Sequence, residues 1–381
     1  MKLISKINVF TFGDSRLLST WSNVPYFLTT TLEQKGIEVN RINIGRNHFV
    51  KYIWEKVASR ILSRLFKDNI YWYDRTLICY IETFIRIWFL NKKHADADLN
   101  LFTGYNFYNP FSDKPNVLFS DWDYETMIKE KRERNPYFFE KWSIKRQEKV
   151  IHKADLVISL FPNAAEEMRI RYQKKSIISL GKNVINNLYK GKIDENDILK
   201  EKQKSNKILF IGTLQYIKGA EVLIEAFKIL KKENPKLELT IIGLAQKKFS
   251  SVPIDGITFY SYLDKGIEQE NQTYYDELIS AKVIVNPTPL WAGYSSIVEA
   301  MYFYSPVVVS PYSDFVDEFG KDIGFGEYCM EFTAENLAES IQNVLQNNDY
   351  KQMCLNARNC VKDYTWESYV ERLIDELKKI V

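Results

Sequence analysis

The chain has 381 residues, 45% of them apolar and 27% charged. These proportions allow a sizeable core and exclude a disordered, collagen-like or low-complexity protein. Four cysteines without paired C-x-x-C spacing and only three histidines argue against a disulfide framework and a zinc site, and suit a reducing compartment. The net charge of +3 divides unevenly: residues 1–200 carry 33 Lys and Arg against 23 Asp and Glu, and residues 201–381 carry 19 against 26. Two domains are therefore expected, the basic one facing something anionic.

The start MKLISKINVF runs straight into an apolar strand, so no signal peptide is expected. Ile7–Phe12 is a short β-rich run, Val24–Lys35 a helix closed by Gly36, and Ile37–Ile44 a second strand before Gly45. Residues 46–93 then hold ten basic, four acidic and eleven aromatic residues. Trp54, Val57, Ile61 and Leu65 fall on one helical stripe, with Lys51, Lys56, Arg60, Arg64 and Lys67 largely off it. Two readings stay open: docking on an anionic membrane surface, or a core-packing helix with a solvated basic face. No recognition motif accompanies the charge, so nucleic acid is not an expected partner. The apolar stretch Leu77–Leu90, broken by Glu82 and Arg86, is too short to span a bilayer.

Further on, Val117–Ser120 reads as a strand, Pro136–His152 as a long helix, Asp155–Ser159 as a strand and Asn163–Arg171 as a helix. Repeated βα units predict a parallel sheet covered by helices. The polar stretch Asn186–Asn206 is expected to be a linker. The second half repeats the pattern: strands at Lys207–Gly212, Leu237–Gly243, Val283–Asn286 and Val307–Ser310, and helices at Gly219–Glu233, Thr273–Ser280 and Ser296–Tyr304. Further helices start at Ala334 and Trp366. Domains are thus expected at 1–190 and 207–362, with a linker at 191–206 and a last helix in 363–381.

In open parallel sheets ligands bind beyond the carboxyl ends of strands, where helix N-termini offer free N–H groups to phosphates. Three places fit. Gly212–Gly219 is a strand end, a turn and Lys218 at a helix start; Lys218 there either pairs with a diphosphate or is simply solvated. Asn286–Met301 is a strand end and a Pro-punctuated loop in which Gly293 permits close approach. It leads to a helix capped by Ser295 or Ser296 with Glu299 in its first turn. Glu299 either accepts from ribose hydroxyls or favours the helix dipole. The third is Gly13–Tyr26 with Thr20-Trp21-Ser22-Asn23; no G-x-G-x-x-G follows that strand, so a nicotinamide dinucleotide fold has little support.

Three features resemble retaining glycosyltransferases of family 4: the Gly212–Gly219 turn with Lys218, the Gly293–Met301 loop and helix followed by Ser305-Pro306-Val307-Val308, and the closing Tyr364-Thr365-Trp366-Glu367. Asp14–Pro25 is similar to the family's N-terminal loop, often T-W-S-G, and Gly181-Lys182-Asn183 to its interdomain G-x-N. The resemblance implies an α/β GT-B fold: two facing Rossmann-like doubly wound domains, the first for the acceptor and the second for the nucleotide sugar, with a C-terminal helix crossing back to the first. Carried over, Lys218 would bind the donor diphosphate and Glu299 the ribose. The backbone at Gly212, Thr213, Gly219, Gly293, Tyr294, Ser295, Ser296 and Ile297, and the loop at Ser22 and Asn23, would complete the donor site.

Departures from the pattern are informative. The family usually has arginine where this chain has Thr213, which removes a bidentate phosphate clamp. The partner of Glu299, usually a glutamate eight residues earlier, is Trp291; it reads as a stacking contact, the mark of an unusual sugar, or a packing residue. Asn23 stands where glycine is common, and asparagine tolerates left-handed backbone angles. The family's N-domain histidine is missing; Asp121, after the strand Val117–Ser120, is the candidate to contact the acceptor hydroxyl or donor sugar, or else a cap or turn residue.

The resemblance implies a retaining, metal-independent hexosyl or related transferase. It would move a sugar from a UDP- or GDP-type donor to a glycan or lipid-linked acceptor, in cell-surface polysaccharide or glycoconjugate synthesis. The expected location is the cytoplasm, peripheral on the inner face of the membrane through residues 46–93. Two rivals are a non-catalytic glycosyltransferase-like binding protein, motivated by Thr213 and Trp291, and a nucleotide-sugar epimerase, for which the chain is short of acid–base histidines.

Overall fold

The structure is a computed structural model describing residues 3–45, 48–130, 132–181, 183–249, 254–289 and 294–381. The chain divides into two compact units: Met1–Lys182 with Trp366–Val381, and Asn183–Thr365. In chain order the first unit contains β1 (Lys6–Thr11), α1 (Val24–Gln34), β2 (Glu38–Asn43), α2 (His48–Ile53) and α3 (Ser59–Leu65), the last two joined by a π-turn at Trp54–Ala58. There follow α4 (Leu77–Lys93), β3 (Leu99–Thr103), β4 (Asn116–Ser120), α5 (Tyr124–Lys129), α6 (Phe138–Lys153), β5 (Leu156–Ser159), α7 (Pro162–Tyr172) and β6 (Ile177–Ser179).

These strands form one parallel sheet in the order β2-β1-β3-β4-β5-β6. β4 and β5 are buried along their whole length, as strands covered on both faces must be. Asparagines run across the sheet in register, Asn8 opposite both Asn40 and Asn100, and Asn100 opposite Asn116. Asn40 donates to Asn8 and Asn8 to Asn100, at 2.8 and 3.0 Å, which satisfies the amide oxygens of Asn8 and Asn100, while Asn100 Nδ2 is buried without a partner among the described residues.

The second unit begins with α8 (Glu195–Lys204), then β7 (Lys207–Ile211), α9 (Ile217–Glu233), β8 (Glu238–Ile242), β9 (Ile257–Tyr260), α10 (Glu268–Ser280), β10 (Val283–Asn286) and α11 (Ser295–Tyr302). It closes with β11 (Val307–Val309), α12 (Ser313–Phe319), β12 (Gly326–Tyr328), α13 (Ala334–Leu345) and α14 (Tyr350–Val361). Its parallel sheet runs β12-β11-β10-β7-β8-β9, with a core of β-branched and aliphatic side chains between β7, β8, α9 and α13. The final helix, α15 (Trp366–Leu377), belongs to the first unit. Trp366 stacks on Phe27 at 6.1 Å, Tyr369 meets Phe119 edge-on, and Lys35 pairs with Glu371 at 2.5 Å.

The stretch expected to be a linker, 191–206, is mostly α8. Asp194 caps it by accepting from the amides of Asn196 and Asp197, and Ile198, Leu199 and Lys202 are buried. The acidic run read as a solvated connection is thus the capped first turn of a packed helix, where carboxylates favour the dipole. Lys202 Nζ donates to the carbonyls of Leu278 and Ala281 and to Ser305 Oγ at 2.7–3.2 Å, and burial pushes its ammonium down to about 7. Among the described residues no helix is long and apolar enough to cross a membrane.

Candidate functional site

Each sheet offers one topological switch point, where neighbouring strands send their connections to opposite sides and leave a crevice at their carboxyl ends. In the second unit that point lies between β7 and β10. The turn leaving β7 carries Gly212 and Thr213, and α9 follows with Lys218 as its second residue and Gly219 as its third. The Lys218 and Thr213 side chains are exposed, Gly212 and Gly219 buried. A Cβ on Gly219 would lie 2.3 Å from Thr288 Oγ1, and one on Gly243, at φ +97°, 2.3 Å from the Gly212 carbonyl oxygen. Glycine at these two positions lets the ends of β7, β8 and β10 close up beneath the turn. Neither α9 nor α11 has a side-chain N-cap; a 3-10 turn at Leu214–Tyr216 leads into α9, the Ile217 amide donating to the Leu214 carbonyl, and helix starts of this kind are the places where anions bind.

The α11 start differs from expectation. Tyr294, buried against Tyr312, Phe315 and Phe319, stands at the N-cap position, and Ser295 and Ser296 are the first two helical residues, exposed and half-buried. Neither serine caps the helix, because the aromatic packing of Tyr294 fixes where it begins. Ile297 is buried. Glu299 is therefore the fifth helical residue and not in the first turn, too far along to serve the dipole. Trp291 and Gly293 lie outside the described residues.

Glu299 sits in a closed polar cluster that the sequence did not announce. Lys265, in the connection between β9 and α10, donates to both its oxygens at 2.7 and 2.8 Å. The hydroxyls of Tyr274 and Tyr275, on α10, donate to one oxygen each at 2.8 Å. The Lys265 and Glu299 side chains are 12% and 5% exposed, so four bonds occupy the carboxylate in a dry setting. Burial lowers the Lys265 ammonium from its ordinary value while Glu299 draws it back up, and burial raises both phenols. The adjacent tyrosines were the one signal available; nothing in the sequence places residue 265 beside 299.

In the first unit the switch point lies at β1 and β3, and a cleft of about 370 Å³ opens there, lined among others by Trp21, Trp72, Arg75, Asn106, Asp121 and Trp122. Asp121 is half-buried directly after β4. It accepts from the Trp122 amide at 2.9 Å and Ser120 Oγ at 3.1 Å, both through Oδ1. Burial raises its carboxyl above the ordinary range against those bonds. The cap of α5 is Asp123, which accepts from the Thr126 amide. Arg75 lies 4.2 Å over the Tyr124 ring and donates to Asn106 Oδ1 at 2.9 Å; its Nε is buried without a hydrogen-bond partner among the described residues. Three consecutive left-handed residues, Trp21, Ser22 and Asn23 at φ 36°, 52° and 71°, turn the chain after β1 so that Trp21 reaches the cleft. Outside glycine such angles cost about 1–3 kcal/mol each. Ser22 is exposed and Asn23 half-buried at the head of α1. Among the described residues no cluster of His, Cys, Asp and Glu is placed to hold a metal ion.

Residues 192–360 match the sequence model of the family described as Glycosyl transferases group 1. No curated protein matches the chain at a significant level. Among solved structures, the sucrose-phosphate synthase of Thermosynechococcus elongatus is similar over 98% of this chain and 98% of its own, at 14% identity and a TM-score of 0.67. WaaG, a glycosyltransferase involved in lipopolysaccharide biosynthesis, covers 97% and 99% at 15% identity and 0.62. Anabaena HepE, solved in complex with UDP-glucose, covers 98% and 99% at 14% and 0.59. The chain has the α/β GT-B fold, and residues 192–360 are similar to the glycosyl transferases group 1 family.

Proposed function

We propose that the chain transfers a sugar from a nucleotide-diphosphate donor, of UDP or GDP type, to a glycan or lipid-linked acceptor, with retention and without a metal, in the making of cell-surface polysaccharide or glycoconjugate. The observation that carries this reading is the position of Lys218. It is exposed, at the uncapped start of α9, on the switch-point strand of the domain that matches the family. There it neutralises the diphosphate as the glycosidic bond breaks, with the amides of Gly219 and of Ser295 to Ile297 assisting. Stabilising charge as it develops is the main contribution a protein makes to such a step. The departing phosphate oxygen helps take the proton of the incoming hydroxyl on the same face, and Asp121 orients that hydroxyl or the donor sugar. Glu299 meets the ribose through an oxygen shared with Lys265 or a tyrosine. Gly212, Thr213 and the loop at Ser22 and Asn23 complete the donor contacts, and Trp291 and Gly293 are assigned to the same site by resemblance alone.

The experiment is thermal stability against a panel of nucleoside diphosphates and their sugars, on the native chain and Lys218→Ala. A ligand that binds only the folded state raises stability by about 2.7 kcal/mol at a hundredfold excess over its dissociation constant. A shift with one nucleotide that vanishes in the variant supports the donor site and names its base. A second reading, a non-catalytic binding protein, is favoured by the full occupancy of Glu299 and by Thr213; absence of a shift with every nucleotide would move the conclusion there. Interconversion of free nucleotide sugars without an acceptor would favour an epimerase.

A further inference from the structure

Helix α4 carries apolar residues on both its faces. Its inner face buries Cys79, Thr83 and Ile87 and packs the half-buried Tyr80, Phe84 and Leu90 against the core. Its outer face presents Ile78, Ile81, Ile85, Trp88 and Phe89, each 40–62% exposed. A helix on an aqueous surface puts its larger apolar residues inward. The run from α2 to α3 repeats the anomaly: Phe49, Ile53, Val57, Ile61 and Leu65, four residues apart, are 47–70% exposed, and nothing between Trp54 and Leu65 is buried. The half-buried Trp54 tethers this run, its ring 6.0 Å from Tyr71 and 6.5 Å from Tyr73. Thirteen of the twenty-four exposed large apolar side chains among the described residues fall within residues 49–89. Apolar exposure of this density marks an interaction surface, so the core-packing reading of the stripe fails for Val57, Ile61 and Leu65.

Charge identifies the occupant. Lys56, Arg60, Arg64, Lys67, Lys92 and Lys93 are exposed around these faces, while Glu55 and Glu82 are neutralised locally by Lys51 and Arg86 at 3.4 and 4.0 Å. Lys92 lies 4.4 Å over the Trp88 ring, an aromatic and a cation at one level, as at a headgroup boundary. A second copy docked through the same patch by a twofold axis would set two surfaces, each carrying these six exposed basic residues, against each other. An anionic bilayer meets both the apolar and the basic element. Trp72, 47% exposed and between α3 and α4 in the chain, also lines the cleft of the first unit, so the patch adjoins that cleft.

We propose that α4 and the α2–α3 run lie in the headgroup plane of an anionic membrane, their aliphatic and aromatic side chains at the acyl boundary and their lysines and arginines against lipid phosphate. This supplies the partner of the proposed transferase and rests on that reading for its purpose, but it is tested without a donor. The full chain is floated with vesicles of phosphatidylglycerol and phosphatidylethanolamine, and with phosphatidylcholine alone. Binding is expected to the anionic vesicles only, weakening as salt is raised. Lys56→Glu/Arg60→Glu/Arg64→Glu should lose about 100-fold or more in apparent affinity, because each basic residue near the headgroups is worth about a fivefold factor and reversal adds repulsion. Ile81→Asp/Ile85→Asp should lose a comparable amount, and since all five side chains are exposed both variants should keep the native melting temperature.

Equal binding to both vesicle types, or none to the anionic ones, overturns the proposal. So does a dimer in solution that Ile81→Asp/Ile85→Asp dissociates while vesicles stay unbound, which would assign the surface to a second copy. A nucleotide-induced stability shift retained in a chain that ignores vesicles defeats this inference alone; vesicle binding without any such shift defeats the donor site and leaves this surface standing.

Discussion

Replacing Lys265 with methionine tests the polar cluster on which Glu299 depends. The substitution keeps much of the side-chain volume and removes the cation that donates to both carboxylate oxygens at 2.7 and 2.8 Å. Glu299, 5% exposed, then keeps two phenol hydrogen bonds and no counter-charge. Removing one partner of a buried pair costs about 3–5 kcal/mol. For a unit the size of residues 183–365, at roughly 2–4 °C per kcal/mol, the melting temperature of that unit should fall by about 6–20 °C. The loss should also depend on pH. An unpaired buried carboxylate takes up a proton more readily, and the neutral acid carries no desolvation cost of charge, so the gap between native chain and variant should narrow as pH falls from 8 toward 5. Differential scanning calorimetry across that range is the assay. A fall under 2 °C would mean that the ion pair is not formed in solution. A large fall of constant size across pH would reduce the effect to packing.

Three further outcomes follow from single contacts. Gly219→Ala places a methyl 2.3 Å from Thr288 Oγ1 and should cost about 1–3 kcal/mol by overpacking in urea unfolding; adding Thr288→Ala, which removes the offending oxygen, should restore native stability, and no recovery would refute the clash. Lys202 titrates near 7 when folded and near 10.5 when unfolded. The unfolded chain therefore binds the extra proton between those values, and stability should climb with pH across that window; Lys202→Met should flatten that rise in denaturant titrations from pH 6 to 10, and an unchanged slope would count against the assignment. Asp121→Asn should lower turnover with the identified donor by about 10²–10⁴-fold at an unchanged melting temperature, since the bonds its Oδ1 accepts come from its sequence neighbours Ser120 and Trp122 and an amide oxygen accepts them equally; activity within threefold of native would remove it from the catalytic residues.

The alternation of strands and helices was legible because apolar runs, glycine stops and prolines mark the elements directly. Where polar residues serve inside the fold, the reading failed. Asp194 to Asp197 looked like a linker because capping and solvation draw on the same residue types. β3 went unread because Asn100 interrupts its apolar run, although that asparagine's oxygen accepts from Asn8 across the sheet. The left-handed angle at Asn23 was readable, since asparagine in place of a turn glycine has few other uses. The same angles at Trp21 and Ser22 were not, because no local propensity favours them and tertiary contacts hold them. Lys265 lies beyond any local signal, as its partner is 34 residues away. For the 54–65 stripe, spacing gave the right helix and left its environment open, because periodicity says which side chains share a face but not what covers that face.

The division of charge takes on a physical meaning once placed on the fold. The proposed nucleotide site belongs to the acidic half, where residues 201–381 carry seven more acids than bases. On the proposed function a phosphate there would be held by local donors, Lys218 and helix amides, against the mean field. Such donors act within a few ångströms and are screened little by salt. Half of the basic excess of the first 200 residues belongs instead to residues 48–93, whereas the cleft of that unit is lined by Asp74 and Asp121 beside Arg75. On the two proposals the long-range field and the candidate chemistry would address different ligands: the field a spread anionic surface, the strand-end clusters a single nucleotide and a sugar. A donor binder alone has no use for six exposed basic residues around an apolar surface, and a surface binder alone has no use for glycines that bring three strand ends together beneath a helix start. Both sets of residues find a use in one protein if the reaction takes its donor from solution and is carried out at an anionic membrane.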